Sequence, residues 1–153
     1  QIANDNGGGQ VVASGSKAAV DKAIEIAKGK GAKRAMLLAV SAPFHCALMQ
    51  PAADAMAEAL ASTNIVAPKV PVVANVVANA VSDPQQIRDL LVRQVTGTVR
   101  WRECVGYMAA NGCDRFVELG AGKVLTGLLK RLADGATGMS VGAPADVEAY
   151  KAS

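Results

Sequence analysis

The chain has 153 residues, which is enough for one compact domain or two small lobes and too few for a large multidomain enzyme. Hydrophobic residues make up 51% and charged residues 19% of it, so the chain can bury a core, which argues against disorder. The net charge of +3 and the lack of an apolar run of membrane-spanning length predict a soluble protein that binds neither nucleic acid nor a membrane.

The first part of the chain predicts a β-α-β arrangement. Residues 10–14 form a short β-type run, and residues 16–29 carry a serine cap, helical apolar spacing and a terminal glycine. The continuous apolar run 35–40 predicts a strand buried on both faces. A proline-containing loop at 41–45 then leads into an alanine-rich helix over 48–63.

The second part predicts strands that alternate with helices, which indicates an α/β fold with a mostly parallel sheet. A helix that begins after Asp83 has proline at its first position and is stopped by Gly97. The other predicted elements are strand 72–75, helix 101–110, strand 115–119, helix 123–133 and strand 137–141.

Two glycine-rich segments could suggest phosphate binding, but neither has the required context. Residues 7–9 precede a strand, whereas a phosphate loop needs a following helix N-terminus. Residues 120–123 lack the earlier glycine of a nucleotide loop, and Val124 replaces the hydroxyl residue that would hold magnesium. We interpret residues 120–123 as a tight strand-to-helix turn.

His45 is the only histidine, and it lies where α/β folds concentrate their chemistry. It follows an apolar predicted strand and a loop, and it directly precedes a predicted helix. The positive end of that helix would disfavour imidazolium and leave a neutral ring that can accept a proton. His45 is therefore a candidate general base, although a purely structural role for one histidine stays open.

The three cysteines, Cys46, Cys104 and Cys113, show no C-x-x-C spacing. With a single histidine they cannot build a zinc site, so we expect no metal and a reducing cytoplasm. Cys46 is adjacent to His45, but neighbouring residues rarely aim their side chains into one hydrogen bond, which disfavours a thiol nucleophile. None of the serines of the chain has the context of a nucleophile elbow. The candidate base thus has no nucleophile in this chain.

A basic cluster lies on the first predicted helix and its exit loop. It is either a solvated helix face or a docking surface, and the sequence leaves both open. Its members are Lys17, Lys22, Lys28, Lys30, Lys33 and Arg34, set against Asp21 and Glu25.

Six segments, in the right order, resemble the malonyl-CoA:acyl carrier protein transacylases of bacterial fatty-acid synthesis. They are residues 4–12, 40–49, 71–75, 91–94, 99–101 and 118–127. The resemblance covers the C-terminal half of that family. It implies the C-terminal part of a large α/β-hydrolase-like subdomain, residues 42–153, and part of a small ferredoxin-like subdomain, residues 1–41. The family's serine nucleophile would lie in an N-terminal half that is missing from this sequence.

The resemblance also implies the chemistry and the partners. The family transfers malonyl from malonyl-CoA to its serine and then to the phosphopantetheine thiol of acyl carrier protein, with no other cofactor. His45 matches the catalytic histidine, and the Gln94 backbone carbonyl matches the acceptor that orients it. Phe44 matches a ring that excludes branched acyl groups, and Asn4 and Asn6 match a paired-asparagine loop near the substrate.

Some positions depart from the family pattern. Asp5 replaces a usual tyrosine, Gly7 and Gly8 replace a usual Ser-Pro pair, and Ala121 replaces a usual proline. We expect the first two departures to loosen the asparagine loop and the third to soften the turn. They leave an alternative function open, a non-catalytic α/β interaction module that keeps the fold without the chemistry.

Overall fold

The computed structural model describes residues 1–152, which form six strands and six α-helices in a mixed α/β arrangement. No helix within these residues is long and apolar enough to cross a membrane. The strands are β1 (Ile2–Asp5), β2 (Val11–Ala13), β3 (Val72–Ala74), β4 (Asn79–Val81), β5 (Arg115–Leu119) and β6 (Thr137–Val141). The α-helices are α1 (Lys17–Gly29), α2 (Gln50–Ala61), α3 (Pro84–Thr96), α4 (Trp101–Ala110), α5 (Val124–Leu129) and α6 (Pro144–Lys151).

The N-terminal region is a β-β-α unit, so the predicted β-α-β order is wrong. Strands β1 and β2 pair antiparallel across the glycine loop 7–9, whose residues all have positive φ. Helix α1 begins as predicted, because the Ser16 hydroxyl accepts a hydrogen bond from the Ala19 amide. The polar composition of residues 1–9 concealed β1 from sequence reasoning.

The predicted buried strand at residues 35–40 is also wrong. This segment has no strand partner within residues 1–152, and Met36, Leu38 and Val40 are more than half exposed. A strand forms only where a neighbour supplies hydrogen-bond partners for its backbone. Segment 35–40 therefore has the apolar composition of a central strand, but residues 1–152 contain no sheet that it joins.

The middle of the chain pairs helices α2 and α3. A 3₁₀ turn, Ala47–Met49, leads into α2, and Pro51 lies in the first turn of α2, where a missing amide hydrogen costs nothing. Helix α3 begins as predicted, with the Asp83 carboxylate accepting from the Gln86 amide, and it ends at Gly97. Strands β3 and β4 form an antiparallel hairpin, and β3 contacts α4. Strand β3 was predicted, whereas β4 was not.

The C-terminal region contains the densest core. Strands β5 and β6 lie at the predicted residues and pair in parallel, and α5 connects them. Val105 of α4, Leu129 of α5 and Ala133 form a buried cluster against which Trp101 and Phe116 pack. Helix α5 is shorter than predicted, ending at Leu129, and α6 was not predicted. The parallel pair confirms the α/β class of this region, whereas the middle hairpin is antiparallel.

Candidate functional site

His45 lies in a strained turn between the loop 41–44 and the 3₁₀ turn at Ala47. Its backbone φ is 58°, in the left-handed region that residues other than glycine rarely adopt. The chain is fixed on both sides of it. The Cys46 thiol donates to the Pro43 carbonyl at 3.1 Å, and the Ala47 amide donates to the Gln1 side-chain oxygen at 2.7 Å. Strain of this kind persists where surrounding contacts determine the conformation.

The inner nitrogen of His45 faces the C-terminal end of helix α3. Nδ1 lies 3.1 Å from the Gly97 backbone carbonyl oxygen and 3.3 Å from the Gln94 backbone carbonyl oxygen, and the Gln94 side-chain Nε2 lies 3.4 Å away. A hydrogen on Nδ1 can be donated to either carbonyl oxygen, whereas a bare Nδ1 could accept only from Gln94 Nε2, at the longest of the three distances. The two shorter contacts assign the hydrogen to Nδ1. Nε2 is then the unprotonated nitrogen, and it has no hydrogen-bond partner within residues 1–152.

This environment differs from the electrostatic setting expected from the sequence. The expected influence was the positive N-terminus of the following helix, but that element is a three-residue 3₁₀ turn. The ring nitrogen instead meets carbonyl oxygens at the negative end of α3. Such oxygens orient the ring, and they stabilise the positive charge that it gains on accepting a proton.

Asn75 connects the elements around this histidine, and sequence reasoning missed it. Its Nδ2 group donates to the Gln94 side-chain oxygen at 2.7 Å and to the Thr98 carbonyl at 2.8 Å. Its Oδ1 accepts from the Arg100 amide at 2.6 Å. Its position as the last residue of the predicted strand 72–75 was the available signal, because chemistry in α/β folds gathers at strand ends.

The predicted asparagine loop runs beside the same region. Asn4 of β1 pairs with Val99, and the Asp5 amide and the Ala3 carbonyl each bond the Val99 backbone. The side chains of Asn4 and Asn6 are half-buried and form no hydrogen bond within the described part of the chain. Phe44, next to His45, is 45% exposed. The backbone of the loop is thus near the histidine support, whereas the binding roles of Asn4, Asn6 and Phe44 stay predictions.

Asp5 anchors the asparagine loop, so the expectation that this replacement loosens it is wrong. Its carboxylate accepts from the Arg102 guanidinium at 2.6 and 2.9 Å and from the Gly7 amide at 3.1 Å. The Arg102 hydrogen bond, more than any other cause, lowers the pKa of the Asp5 carboxyl below its usual range. A β-carbon on Gly7 would lie 2.3 Å from Leu132, so the loop also packs closely.

The segment 120–123 is a strand-to-helix turn, as predicted, and it carries no anion site. The Glu118 carboxylate occupies the N-terminus of α5, where it accepts from the Leu125 amide, the Thr126 amide and the Thr126 hydroxyl. The backbone hydrogen bond from Thr126 is the largest cause that lowers the pKa of Glu118. A carboxylate in this place excludes a phosphate.

Neither Cys46 nor Ser140 is placed as a nucleophile for His45. Cys46 is fully buried and its thiol is bonded to the Pro43 carbonyl. Residues 138–142 read G-x-S-x-G, but Ser140 lies within β6 rather than on a sharp turn, and its hydroxyl bonds that of Thr126 at 2.8 Å. Among residues 1–152, no group of three His, Cys, Asp or Glu side chains could hold a metal ion.

Comparison with known proteins places this geometry in a family. Residues 1–145 match the acyl transferase domain family. The chain belongs to that family. It is 49% identical over 146 residues to the malonyl CoA-acyl carrier protein transacylase of Salmonella typhimurium, an alignment covering 95% of this chain and 47% of that relative.

Solved structures show the same relationship. The acyl-carrier-protein S-malonyltransferase of Bartonella henselae matches with a TM-score of 0.93 and 56% identity, covering 98% of this chain and 48% of that one. A malonyl-transacylase solved in complex with its type II polyketide acyl-carrier protein matches with a TM-score of 0.93 and 42% identity, covering 99% and 50%. The chain therefore has the mixed α/β fold of these transferases, and it spans about half their length.

Proposed function

We propose that this chain supplies the general base and part of the substrate cleft of a malonyl-CoA:acyl carrier protein transacylase, and that the nucleophilic serine comes from an N-terminal half outside these 153 residues. The observation that carries the proposal is the His45 ring, with Nδ1 against the Gln94 and Gly97 carbonyls and Nε2 free of any partner in residues 1–152. A base needs this arrangement, with one nitrogen held and the other available.

The proposed reaction has two transfers. Nε2 accepts the proton of the serine hydroxyl as the serine oxygen attacks the malonyl thioester, and the C–S bond breaks to release coenzyme A, whose thiolate takes that proton. Nε2 then accepts the proton of the carrier-protein thiol, which attacks the malonyl ester. The serine oxygen leaves and takes the proton back. The carbonyl oxygens at Nδ1 stabilise the imidazolium in both steps.

The proposal is tested on the complete gene product that contains this chain. After incubation with malonyl-CoA, intact and peptide mass spectrometry should find one malonyl group, on a serine outside these residues, that is removed on adding phosphopantetheinylated acyl carrier protein. A Ser140→Ala variant is the matched control and should keep the adduct. A protein that forms no adduct would instead be the non-catalytic module, and an adduct on Ser140 would contradict the proposed division of roles.

The proposed docking surface for acyl carrier protein is the part of the basic cluster at the C-terminal end of α1 and in its exit loop. Lys17 pairs with Asp21 at 2.6 Å and Lys22 with Glu25 at 2.9 Å, so these two charges are offset within the helix. Lys28, Lys30, Lys33 and Arg34 form no ion pair with any residue in the range 1–152. Unpaired cations on one surface attract an acidic partner and speed its association.

Charge reversal tests the docking surface. In the complete gene product, a double Lys30→Glu, Lys33→Glu variant should weaken the affinity for acyl carrier protein, most strongly at low salt, while the serine still accepts malonyl from coenzyme A. Lys17→Glu is the matched control, since Lys17 is already paired with Asp21. An affinity that is unchanged in the double variant would rule the surface out. We also propose a cytoplasmic location, which the three free cysteines support.

A further inference from the structure

The Asn75 side chain makes three hydrogen bonds to the segments that support His45. All of its donor capacity and part of its acceptor capacity are used, at distances of 2.6 to 2.8 Å. The orientation of its amide is fixed by chemistry, because both Nδ2 partners are oxygens and the Oδ1 partner is an N–H group. Asn75 therefore cannot rotate its amide without losing all three hydrogen bonds.

These hydrogen bonds connect to both oxygens that hold His45. Residues 97–100 form the linker between α3 and α4, and they include Gly97, whose oxygen faces Nδ1. The bonds from Asn75 to the Thr98 carbonyl and from the Arg100 amide to Asn75 fix this linker. The bond to the Gln94 side chain holds that residue at the last turn of α3, where its carbonyl also faces Nδ1. One half-buried side chain thus fixes two separate segments.

The linker has little freedom to find the same geometry without Asn75. A β-carbon on Gly97 would lie 2.9 Å from the Arg93 carbonyl oxygen, so the turn after α3 is closely packed on one side. On the other side, the Arg100 guanidinium bonds the Val76 carbonyl and pairs with Glu103. Asn75 lies between these two contacts and connects the end of β3 to the linker.

We propose that Asn75 is a positioning residue for the transfer reaction: it sets the Nδ1–H tautomer of His45 by fixing the Gly97 and Gln94 carbonyls. This inference rests on the proposed function for its kinetic consequence, but not for its structural one. Loss of the Nδ2 donors leaves the Gln94 and Thr98 oxygens unpaired, and the carbonyls at Nδ1 are then free to move away. A ring without these acceptors takes both tautomers, and only one of them presents an unprotonated Nε2.

The test uses the complete gene product with Asn75→Ala and Asn75→Asp. Asn75→Asp keeps the size and the acceptor for the Arg100 amide but removes both donors. We expect each variant to lower kcat about tenfold to hundredfold, a part of the roughly 10²–10⁴-fold that a general base contributes. KM for malonyl-CoA should stay within about twofold, because Asn75 acts through His45 and not on the substrate. Asn79→Ala is the matched control, since the Asn79 side chain is exposed and, within residues 1–152, hydrogen-bonds only the neighbouring Ala80 amide.

A spectroscopic readout separates this inference from the proposed function. Long-range ¹H–¹⁵N spectra, with His45 assigned from a His45→Gln variant, report which ring nitrogen carries the hydrogen. We expect Nδ1–H in the wild type and in Asn79→Ala, and a tautomer mixture in both Asn75 variants, whether or not the protein transfers malonyl. A pure Nδ1–H signal in a folded Asn75→Asp variant, or an unchanged kcat in an active one, would overturn the proposal.

Discussion

The two shortest contacts of the His45 ring are with the main chain. The ring nitrogen faces two backbone carbonyls, and the left-handed backbone of His45 is held by contacts to Cys46 and Ala47. A residue other than glycine in this conformation costs about 1–2 kcal/mol. The surrounding contacts offset this cost. The left-handed conformation directs the imidazole toward the end of α3.

Gln94→Ala tests this dependence on the main chain. The substitution leaves the Gln94 backbone carbonyl in place and removes the side chain, whose oxygen accepts from Asn75 and whose nitrogen lies 3.4 Å from Nδ1. We expect the rate of serine malonylation in the complete gene product to fall less than about tenfold, below the range of a lost general base. Gln85→Ala, on an exposed position of the same helix, is the control. A loss of about a thousandfold in Gln94→Ala would show that the side chain itself has the role.

Phe44 is the residue expected to select the acyl group. Its ring is partly exposed beside His45, where the resemblance places a barrier to an α-methyl group. One methyl group is typically worth about 1–3 kcal/mol of discrimination. Phe44→Ala should therefore raise kcat/KM for an α-methylated malonyl thioester relative to malonyl-CoA, measured by competition between the two substrates. Leu48→Ala, also exposed nearby, should leave the ratio unchanged; an unchanged ratio in Phe44→Ala would exclude this role.

Among the elements, the helices with local caps and the strands β5 and β6 were predicted, whereas the predicted strand at 35–40 was wrong. The caps at Ser16 and Asp83 lie within the segments they begin, so α1 and α3 could be located from the sequence. The strand at 35–40 was wrong because its formation depends on a neighbouring strand, which no local pattern reports. The approach of His45 to Gln94, 49 positions apart, was expected only from the resemblance, and the roles of Gly97 and Asn75 in supporting His45 were not expected.

Glu118 links strand β5 to helix α5 in a way that depends on pH. Its pKa is lowered from the ordinary 4.5, chiefly by the Thr126 amide, so its contribution to stability is present above pH 4.5 and is lost as pH falls through the lower folded-state value. The thermal midpoint of the complete gene product should therefore fall less steeply on acidification in Glu118→Gln than in the wild type. Glu58→Gln, an exposed change on α2, should follow the wild-type curve. Identical slopes for the wild type and Glu118→Gln would contradict the account.

At the scale of the whole molecule, two observations suggest that this chain has apolar surface that a further part of the protein would cover: the exposed segment 35–40 and the partial coverage of the relatives. Met36, Leu38 and Val40 are more than half exposed, and the chain spans about half the length of the relatives it matches. Apolar surface next to unpaired backbone promotes association. We therefore expect the 153-residue chain by itself to self-associate in sedimentation velocity experiments.

A double Met36→Lys, Leu38→Lys variant should reduce that self-association, because charges on an exposed apolar segment disfavour its pairing with another chain. Gln85→Lys adds a charge to an exposed helix position and serves as the control. A wild-type chain that remains monomeric at all concentrations would show that the segment needs no partner.

The central claim is that His45 removes the proton from a serine supplied by the rest of the protein. The most direct test is the single-turnover rate of serine malonylation in the complete gene product, compared between the wild type and His45→Ala at equal thermal stability. We predict a loss of about 10²–10⁴-fold in His45→Ala, the usual contribution of a general base. A wild-type rate in the folded His45→Ala protein would contradict the account.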